Sequence, residues 1–395
     1  MNKPLIVQKF GGTSVGSIER IQKIAANIIK AKREGNQVIV VVSAMSGETN
    51  RLMGLATEID AVPNARELDV LLTAGEQVSM ALLSMAINKL GSKAISLTGQ
   101  QAGISTDSLH NDATIKEINV QPVRKLLSDD YIVIIAGFQG VNDNGDITTL
   151  GRGGSDTSAV TIAGAFNAEE CQIYTDVDGI YTCDPRVVAN ARKLDRIDFP
   201  SMECMARKGA KVLHLPCVQY AWTNNVPLRV LSSFECGQGT LVAGDKPITG
   251  ITGVALQREM VWVETSYDAI EALISQCRML GVDVGCVIKE TDRAAVLVKR
   301  DASLKLKLVF GEKIRNSENV SLLTVVGNNV KGIAESSHEL LSEKQIDVLH
   351  LLVEQQSLML VVSPIQVDEA ANILHDAYIT AYEACSYLRK EVHFG

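Results

Sequence analysis

The sequence predicts an α/β protein, a three-layer αβα sandwich around a mostly parallel sheet, followed by two small α+β units. Three observations predict it. Short apolar strands alternate with amphipathic helices through residue 245, the pattern of a parallel sheet covered on both faces. The composition then changes at Ala243-Gly244-Asp245-Lys246-Pro247, which reads as a linker. Beyond it, a helix closing on apolar-Asp-Val and two strands occurs twice, with Asp283 and Asp347 at the same place in each copy. A recurrence of this size indicates duplicated small units.

The elements follow in order. Leu5 to Gln8 is a short strand that runs into Gly11-Gly12 and a helix from Ser17 to Lys32. Gln37 to Ser43 is β-branched and apolar throughout, as in a strand buried on both faces. Glu67 to Leu90 has helical periodicity and stops at Gly91, a C-cap residue. Tyr131 to Ala136 is another buried strand, Ser155 to Phe166 a helix of small residues, and Cys171 to Tyr174 and Pro227 to Val230 are further strands. In the C-terminal part, Ala269 to Met279 and Ala334 to Glu343 are helices, and Ala294 to Lys299 and Leu358 to Val362 are strands.

Length and charge bound the function. At a typical ~150 residues per domain, 395 residues imply two or three domains. Lys+Arg 38 against Asp+Glu 46 gives a net charge of −8, which excludes an extended nucleic-acid surface. No stretch approaches the ~18 consecutive apolar residues of a membrane helix, so no membrane partner is expected. The N-terminal apolar stretch is too short for a secretory signal. None of the eight cysteines (Cys171, Cys183, Cys204, Cys217, Cys236, Cys277, Cys286, Cys385) forms a Cys-x-x-Cys pair, which fits a reducing, cytoplasmic setting. The six histidines lack metal-ligand spacing.

Several stretches carry potential chemistry. Lys9-Phe10-Gly11-Gly12-Thr13-Ser14 lies between a strand and a helix. Its glycines admit a phosphate to the backbone and Lys9 adds a cation, although neither the P-loop nor the dinucleotide spacing is present. Ser43 to Asn50 follows the second strand, where ligands of open α/β sheets bind, and offers Ser43, Thr49 and Asn50. Glu76 interrupts an otherwise apolar helix, either on a solvated face or as a buried carboxylate that needs an ammonium partner. The most informative stretch runs from Gly137-Phe138-Gln139-Gly140 to Thr148-Thr149-Leu150-Gly151-Arg152-Gly153-Gly154-Ser155-Asp156-Thr157. Arg152 between glycines suits a bidentate grip on a carboxylate, and Asp156 reads either as a functional carboxylate or as an N-cap. Thr175 to Arg186 is rich in Asp, Gly and Pro, but lacks the later ligands of a calcium loop. Lys208-Gly209-Ala210-Lys211-Val212-Leu213-His214 sets basic residues ahead of an apolar run.

Taken together, these stretches resemble the aspartokinases of the amino-acid kinase family. Seven of them occur in the family's order across residues 3–245: Lys9 to Ser14, Ser43 to Asn50, Thr73 to Gln77, Gly137 to Gly140, Thr148 to Thr157, Thr175 to Arg186 and Ala210 to His214. The resemblance implies an amino-acid-kinase-like sandwich that transfers the γ-phosphoryl group of ATP, with Mg²⁺, to the side-chain carboxylate of L-aspartate. That reaction opens the route to lysine, threonine and methionine. Lys9, Asp156 and Lys211 would be catalytic. Lys9, Phe10, Gly11, Gly12, Gly154, Thr175, Asp176, Tyr181, Arg186 and Lys211 would bind ATP. Ser43, Thr49, Glu76, Arg152 and Ser155 would bind aspartate, with Arg152 on its α-carboxylate and Glu76 on its α-ammonium. No all-protein metal cage is visible.

The C-terminal repeats resemble paired ACT regulatory units, with the kinase part over 1–245 and the units over 246–317 and 318–395. They depart from the family's turns at Thr265-Ser266-Tyr267-Asp268, at Gly327-Asn328-Asn329-Val330-Lys331-Gly332 and at Val353-Glu354-Gln355-Gln356-Ser357. The resemblance implies an amino-acid effector (lysine or threonine) and a homodimer or higher homo-oligomer. Two other readings stand beside it: a sister kinase acting on glutamate, acetylglutamate or carbamate, and a non-catalytic amino-acid sensor on the same fold.

Overall fold

The computed structural model describes residues 3–246, 250–290 and 292–380. Cys385, His393 and the end of the second C-terminal repeat lie outside the described residues. In chain order the first elements are β1 (Leu5–Phe10), α1 (Ile18–Arg33), β2 (Gln37–Val42), α2 (Glu48–Ile59), α3 (Ala65–Lys89), β3 (Ala94–Leu97), β4 (Ile104–Thr106), β5 (Ile115–Ile118) and α4 (Gln121–Ser128). Then come β6 (Ile132–Ala136), β7 (Gln139–Val141), β8 (Ile147–Thr149), α5 (Gly154–Phe166), β9 (Glu170–Thr175), β10 (Arg196–Ile197), α6 (Phe199–Arg207), α7 (Leu215–Thr223), β11 (Leu228–Ser232) and β12 (Thr240–Val242). The remainder is β13 (Ile251–Ser266), α8 (Ile270–Met279), β14 (Val284–Lys289), β15 (Arg293–Lys299), α9 (Arg300–Phe310), β16 (Ile314–Gly327), α10 (Ala334–Glu343), β17 (Val348–Val353), β18 (Ser357–Val362) and α11 (Val367–His375).

Two compact units result. The first comprises the described residues up to 180 with 193–199 and 212–246, and the second comprises 181–192, 200–211 and the described residues after 247. In the first unit an eight-stranded sheet has the order β10-β12-β11-β9-β1-β2-β6-β3 and is parallel except where β11 meets β12. Alternation along β1 divides the layers. Ile6 and Phe10 join Ile21, Ile24 and Ile28 of α1 and Leu83 and Ile87 of α3 in one core. Val7 and Lys9 point to the other face, where α5 crosses β1 and packs on α7. Strand β2 is apolar at every position after Gln37 because both its faces are covered.

Helix α3 is long and apolar enough, by length and composition, to pass as a membrane span, which corrects the expectation that no segment approaches one. Here it is a core helix, with half of that stretch buried and Asp69 and Glu76 among its buried residues. A second, four-stranded sheet of order β5-β4-β7-β8 was not foreseen, because its strands of three or four residues are too short to show a period.

The second unit holds a six-stranded antiparallel sheet of order β14-β15-β13-β16-β18-β17. Its two long strands are shared. Met260 to Thr265 of β13 pairs with the first half of β16, and Ile251 to Gln257 pairs with the second half. The first repeat therefore reads β13, α8, β14, β15, α9, β16, a continuous ferredoxin-like unit. The second reads β16, α10, β17, β18, α11, and takes its fourth strand from the start of β13. A bulge between Gln257 and Met260, with Glu259 at φ +55°, separates the two halves of β13. One core lies under α8 and α9, through Leu273, Cys277, Leu306 and Phe310, and another under α10 and α11, through Leu341, Val367, Ala371 and Leu374.

Candidate active site

The central strands of the first unit end level with one another. Phe10 of β1 pairs with Val42 of β2 and with Tyr174 of β9, and Val42 pairs with Ala136 of β6. The chain leaves β1 towards β2 on one side and returns to β9 on the other. These carboxyl ends thus frame a topological switch point, where open α/β sheets bind their ligands.

The turn after β1 comes close to its neighbours. Gly11 N–H donates to the Tyr174 carbonyl at 3.3 Å, and Ser46 N–H donates to the Gly12 carbonyl at 3.1 Å. A Cβ on Gly12 would lie 2.9 Å from the Ala44 carbonyl oxygen, so only glycine fits there. The Phe10 side chain stacks on Tyr174 in the core, with ring centroids 4.6 Å apart. What Phe10 presents at the turn is its carbonyl, which accepts from Ser43 N–H at 3.1 Å.

Lys9 projects from the opposite face of β1 towards α5, and its Nζ lies 2.6 Å from Asp156 Oδ1. The two side chains are 11% and 16% exposed, so the pair is largely shielded. The N-cap of α5 is Gly153, at φ +71°, with no side-chain capping bond. Asp156 sits inside the first helical turn, which sets aside its reading as a cap. Below the pair lie Cys171 and Cys217, both fully buried. Burial, reinforced by the Asp156 carboxylate, pushes both thiols far above their ordinary range and keeps them neutral. The ammonium–carboxylate pair therefore rests on an uncharged floor.

Glu76 is only 4% exposed, which decides between its two readings. Its Oε1 accepts from Ala44 N–H at 3.0 Å, while its buried Oε2 has no partner. Burial pushes the carboxyl up to about 7, against the Ala44 N–H, which favours the charged form. A buried carboxylate with a spare oxygen is matched to an incoming cation.

Arg152 is exposed between Gly151 (φ +69°) and Gly153 (φ +71°) and makes no ion pair among the described residues. Its loop is tightly held. A Cβ on Gly153 would lie 2.3 Å from His214 Cγ, and one on Gly154 would lie 2.8 Å from Phe138 Cδ2. Phe138 itself takes φ +68°, a strained backbone for an aromatic residue, and its N–H donates to Ser158 Oγ at 3.0 Å. Buried Ser155 packs against Gly137, where a Cβ would lie 2.9 Å from Ser155 Oγ. Half-buried Ser43 follows β2, and half-buried Thr49 lies in the first turn of α2. At the end of β9, Thr175 Oγ1 donates to Asp176 Oδ1 at 3.1 Å, and the Thr175 carbonyl accepts from Ser233 N–H at 2.9 Å.

The first unit thus carries Lys9, Gly11, Gly12, Ser43, Thr49, Glu76, Arg152, Gly154, Ser155, Asp156, Thr175 and Asp176 on these strands and on the loops and helices that adjoin them. Tyr181, Arg186 and Lys211 belong to the second unit, where Arg186 pairs with Asp184 at 2.7 Å. Sequence reasoning missed the Ala44 N–H, since a backbone donor has no signature. It names His214 only as the end of the Ala210–His214 stretch, with no role, whereas the buried His214 Nδ1 has no partner and the ring lies against the Arg152 loop. Its place just before Pro216 and a helix was the available signal.

Among the described residues no group of three or more His, Cys, Asp or Glu could hold a metal ion alone. Mg²⁺ that arrives on nucleotide phosphates needs only one or two protein carboxylates, and Asp156, in the first turn of α5, would be one. The donor set fits a nucleotide-borne ion.

Residues 4–232 match the Amino acid kinase family. The aspartokinase of Pseudomonas aeruginosa is 41% identical, over 95% of this chain and 97% of its own length. E. coli aspartokinase III, crystallised with aspartate and ADP, is similar in fold, with a TM-score of 0.78 at 23% identity over 94% of this chain and 99% of that one. Its crystal structure with lysine and aspartate gives a TM-score of 0.77 at 23% identity over 95% and 99%. With more than half of its length matched to the family and an aspartokinase relative aligned nearly end to end, the chain belongs to the amino acid kinase family and, within it, to the aspartokinases.

Proposed function

We propose that the chain is an aspartate kinase that transfers the γ-phosphoryl group of ATP to the β-carboxylate of L-aspartate, giving 4-phospho-L-aspartate. The observation that carries the choice of an amino-acid acceptor is Glu76, buried with Oε2 unpartnered. The acceptor carboxylate is already ionised at pH 7, so the reaction needs no general base. It needs two polyanions brought into line and the charge of the transferred group stabilised.

Lys9 supplies that charge, and Asp156 orients its ammonium rather than removing a proton. Gly11, Gly12 and Gly154, which carry no side chain, let the phosphates approach the backbone at a turn and a helix start. Arg152 grips the aspartate α-carboxylate through two parallel hydrogen bonds. Glu76 receives the α-ammonium, and Ser43, Thr49 and Ser155 complete the substrate contacts. Phe10 (through its backbone), Thr175 and Asp176 keep the nucleotide roles that the family resemblance implies. Mg²⁺, when bound, offsets phosphate charge, with Asp156 as its protein carboxylate.

Residues 1–245 form the kinase part and 246–317 and 318–395 the regulatory units in this reading, with lysine or threonine as effector and a homodimer or larger assembly. The lysine-bound relative and the two ferredoxin-like units support it. The free thiols of the described cysteines support a reducing, cytoplasmic setting for a reaction that leads on to lysine, threonine and methionine. The test is trapping of acyl phosphate with hydroxylamine across a panel of acceptors. Aspartate gives product, whereas glutamate, acetylglutamate and carbamate do not. Product from glutamate and none from aspartate overturns the assignment, and no product from any acceptor favours a sensor.

A further inference from the structure

One buried carboxylate of the first unit has no part in the mechanism above. Asp69 of α3 is 0% exposed, yet four contacts converge on it. Thr149 Oγ1 donates to Oδ1 at 2.5 Å, Asn111 N–H reaches both oxygens at 3.1 and 3.2 Å, and His110 Nδ1 lies 2.6 Å from Oδ2. Asp69, Thr73 and Glu76 recur at i, i+4 and i+7, along one stripe of the helix. The Thr73 carbonyl accepts from Gln139 Nε2 at 3.3 Å, a second tie from that stripe to the small sheet.

The partners of Asp69 lead to Arg152. Thr149 closes β8, three residues before it. The Thr149 carbonyl is held from the other side by Ala113 N–H at 2.8 Å. Asn111 takes φ +67°, and the turn it makes lies directly on the glycine loop: a Cβ on Gly151 would be 2.7 Å from Asp112 Oδ1 and 3.2 Å from the Asn111 carbonyl oxygen. Asp69 thus clamps the base of the Arg152 loop, and the turn that covers it, to the helix that carries Glu76.

The geometry points to Asp69, with His110 and Thr149, as a positioning network that fixes the separation between Arg152 and Glu76, and so makes the enzyme selective for the α-amino-acid head group. The inference rests on the assignment of Arg152 to the α-carboxylate and Glu76 to the α-ammonium. Asp69 touches no substrate in this arrangement and acts through Arg152. Misplacing a gripping group by about 1 Å is enough to cost up to ~10²-fold.

The test compares kcat, aspartate KM and ATP KM in the full chain for Thr149→Val, Thr149→Ser, Asp69→Asn, Arg152→Ala and the Asp69→Asn/Arg152→Ala pair. Thr149→Val and Asp69→Asn should raise aspartate KM by about tenfold or more, with ATP KM unchanged. Thr149→Ser keeps the hydroxyl and should retain wild-type values. In the Arg152→Ala background, Asp69→Asn should add nothing further, because no guanidinium remains to be misplaced. Multiplying effects, or an equal rise in ATP KM, would make Asp69 a packing residue and overturn the proposal. An unchanged aspartate KM in Thr149→Val, with a raised one in Arg152→Ala, overturns the network alone. A wild-type KM in Arg152→Ala overturns the head-group assignment and the network with it. If Asp69→Asn does not fold, the Thr149→Val and Thr149→Ser pair decides.

Discussion

Glu76 Oε1 accepts the Ala44 backbone N–H at 3.0 Å, and Glu76 Oε2, equally buried, accepts nothing. This half-satisfied carboxylate ties α3 to the loop after β2 and leaves one oxygen for a ligand. The same feature makes the empty site unstable when charged.

The first prediction follows from that cost. The folded-state value of about 7 lies above the ordinary 4.5, so between the two the folded chain holds a proton that the unfolded chain has lost. Stability therefore falls as pH rises from about 4.5 through about 7, by on the order of 3 kcal/mol in all. Thermal unfolding of the ligand-free protein between pH 5 and 8 should show this loss, and Glu76→Gln should lack it. Identical pH dependence in the two proteins would exclude a raised value. In catalysis the sign reverses: kcat/KM for aspartate should fall as pH drops through about 7, since the protonated carboxyl cannot pair with an ammonium.

Arg152→Lys keeps the charge and loses the planar fork. A charge-assisted hydrogen bond is worth about 1.5–3 kcal/mol, so losing one of two should raise aspartate KM about 10- to 150-fold, with ATP KM held. Steady-state kinetics with each substrate varied separately check this. A rise confined to ATP KM would move Arg152 to the nucleotide.

Gly153→Ala should destabilise the chain. Its φ of +71° costs an L-residue about 1–2 kcal/mol, and a methyl group 2.3 Å from His214 Cγ adds about 1–3 kcal/mol of overpacking. Denaturant titration measures the sum. The Gly153→Ala/His214→Ala double variant should recover the overpacking share and leave the backbone share. Strictly additive losses would show that the ring is not the obstacle.

Much of the first unit was legible because its signals are periodic. The all-apolar β2, the helix before Gly91 and the small-residue helix α5 follow from sequence spacing, and the structure places each within a few residues of expectation. Strands β4, β7 and β8 were not legible at three residues each, and neither was the division of β13, which depends on one bulge at Glu259. At the site, Arg152 between two glycines announced itself. The pairing of Lys9 with Asp156 did not, because nearly 150 residues separate two ordinary charges that only the crossing of α5 over β1 brings together. Glu76 was ambiguous in the sequence, since helical spacing cannot say which face of α3 is covered until α2 and the Ala44 loop pack against it.

Phosphoryl transfer depends most directly on Lys9, and the decisive measurement is ATP-dependent aspartyl hydroxamate formation by the full chain and by Lys9→Met. A preorganised charge on the transferred group is worth about 10²–10³ in kcat, so Lys9→Met should lose at least that much, while Asp156→Asn, which leaves Lys9 in place, loses less. A Lys9→Met rate equal to that of the unaltered chain would contradict the account.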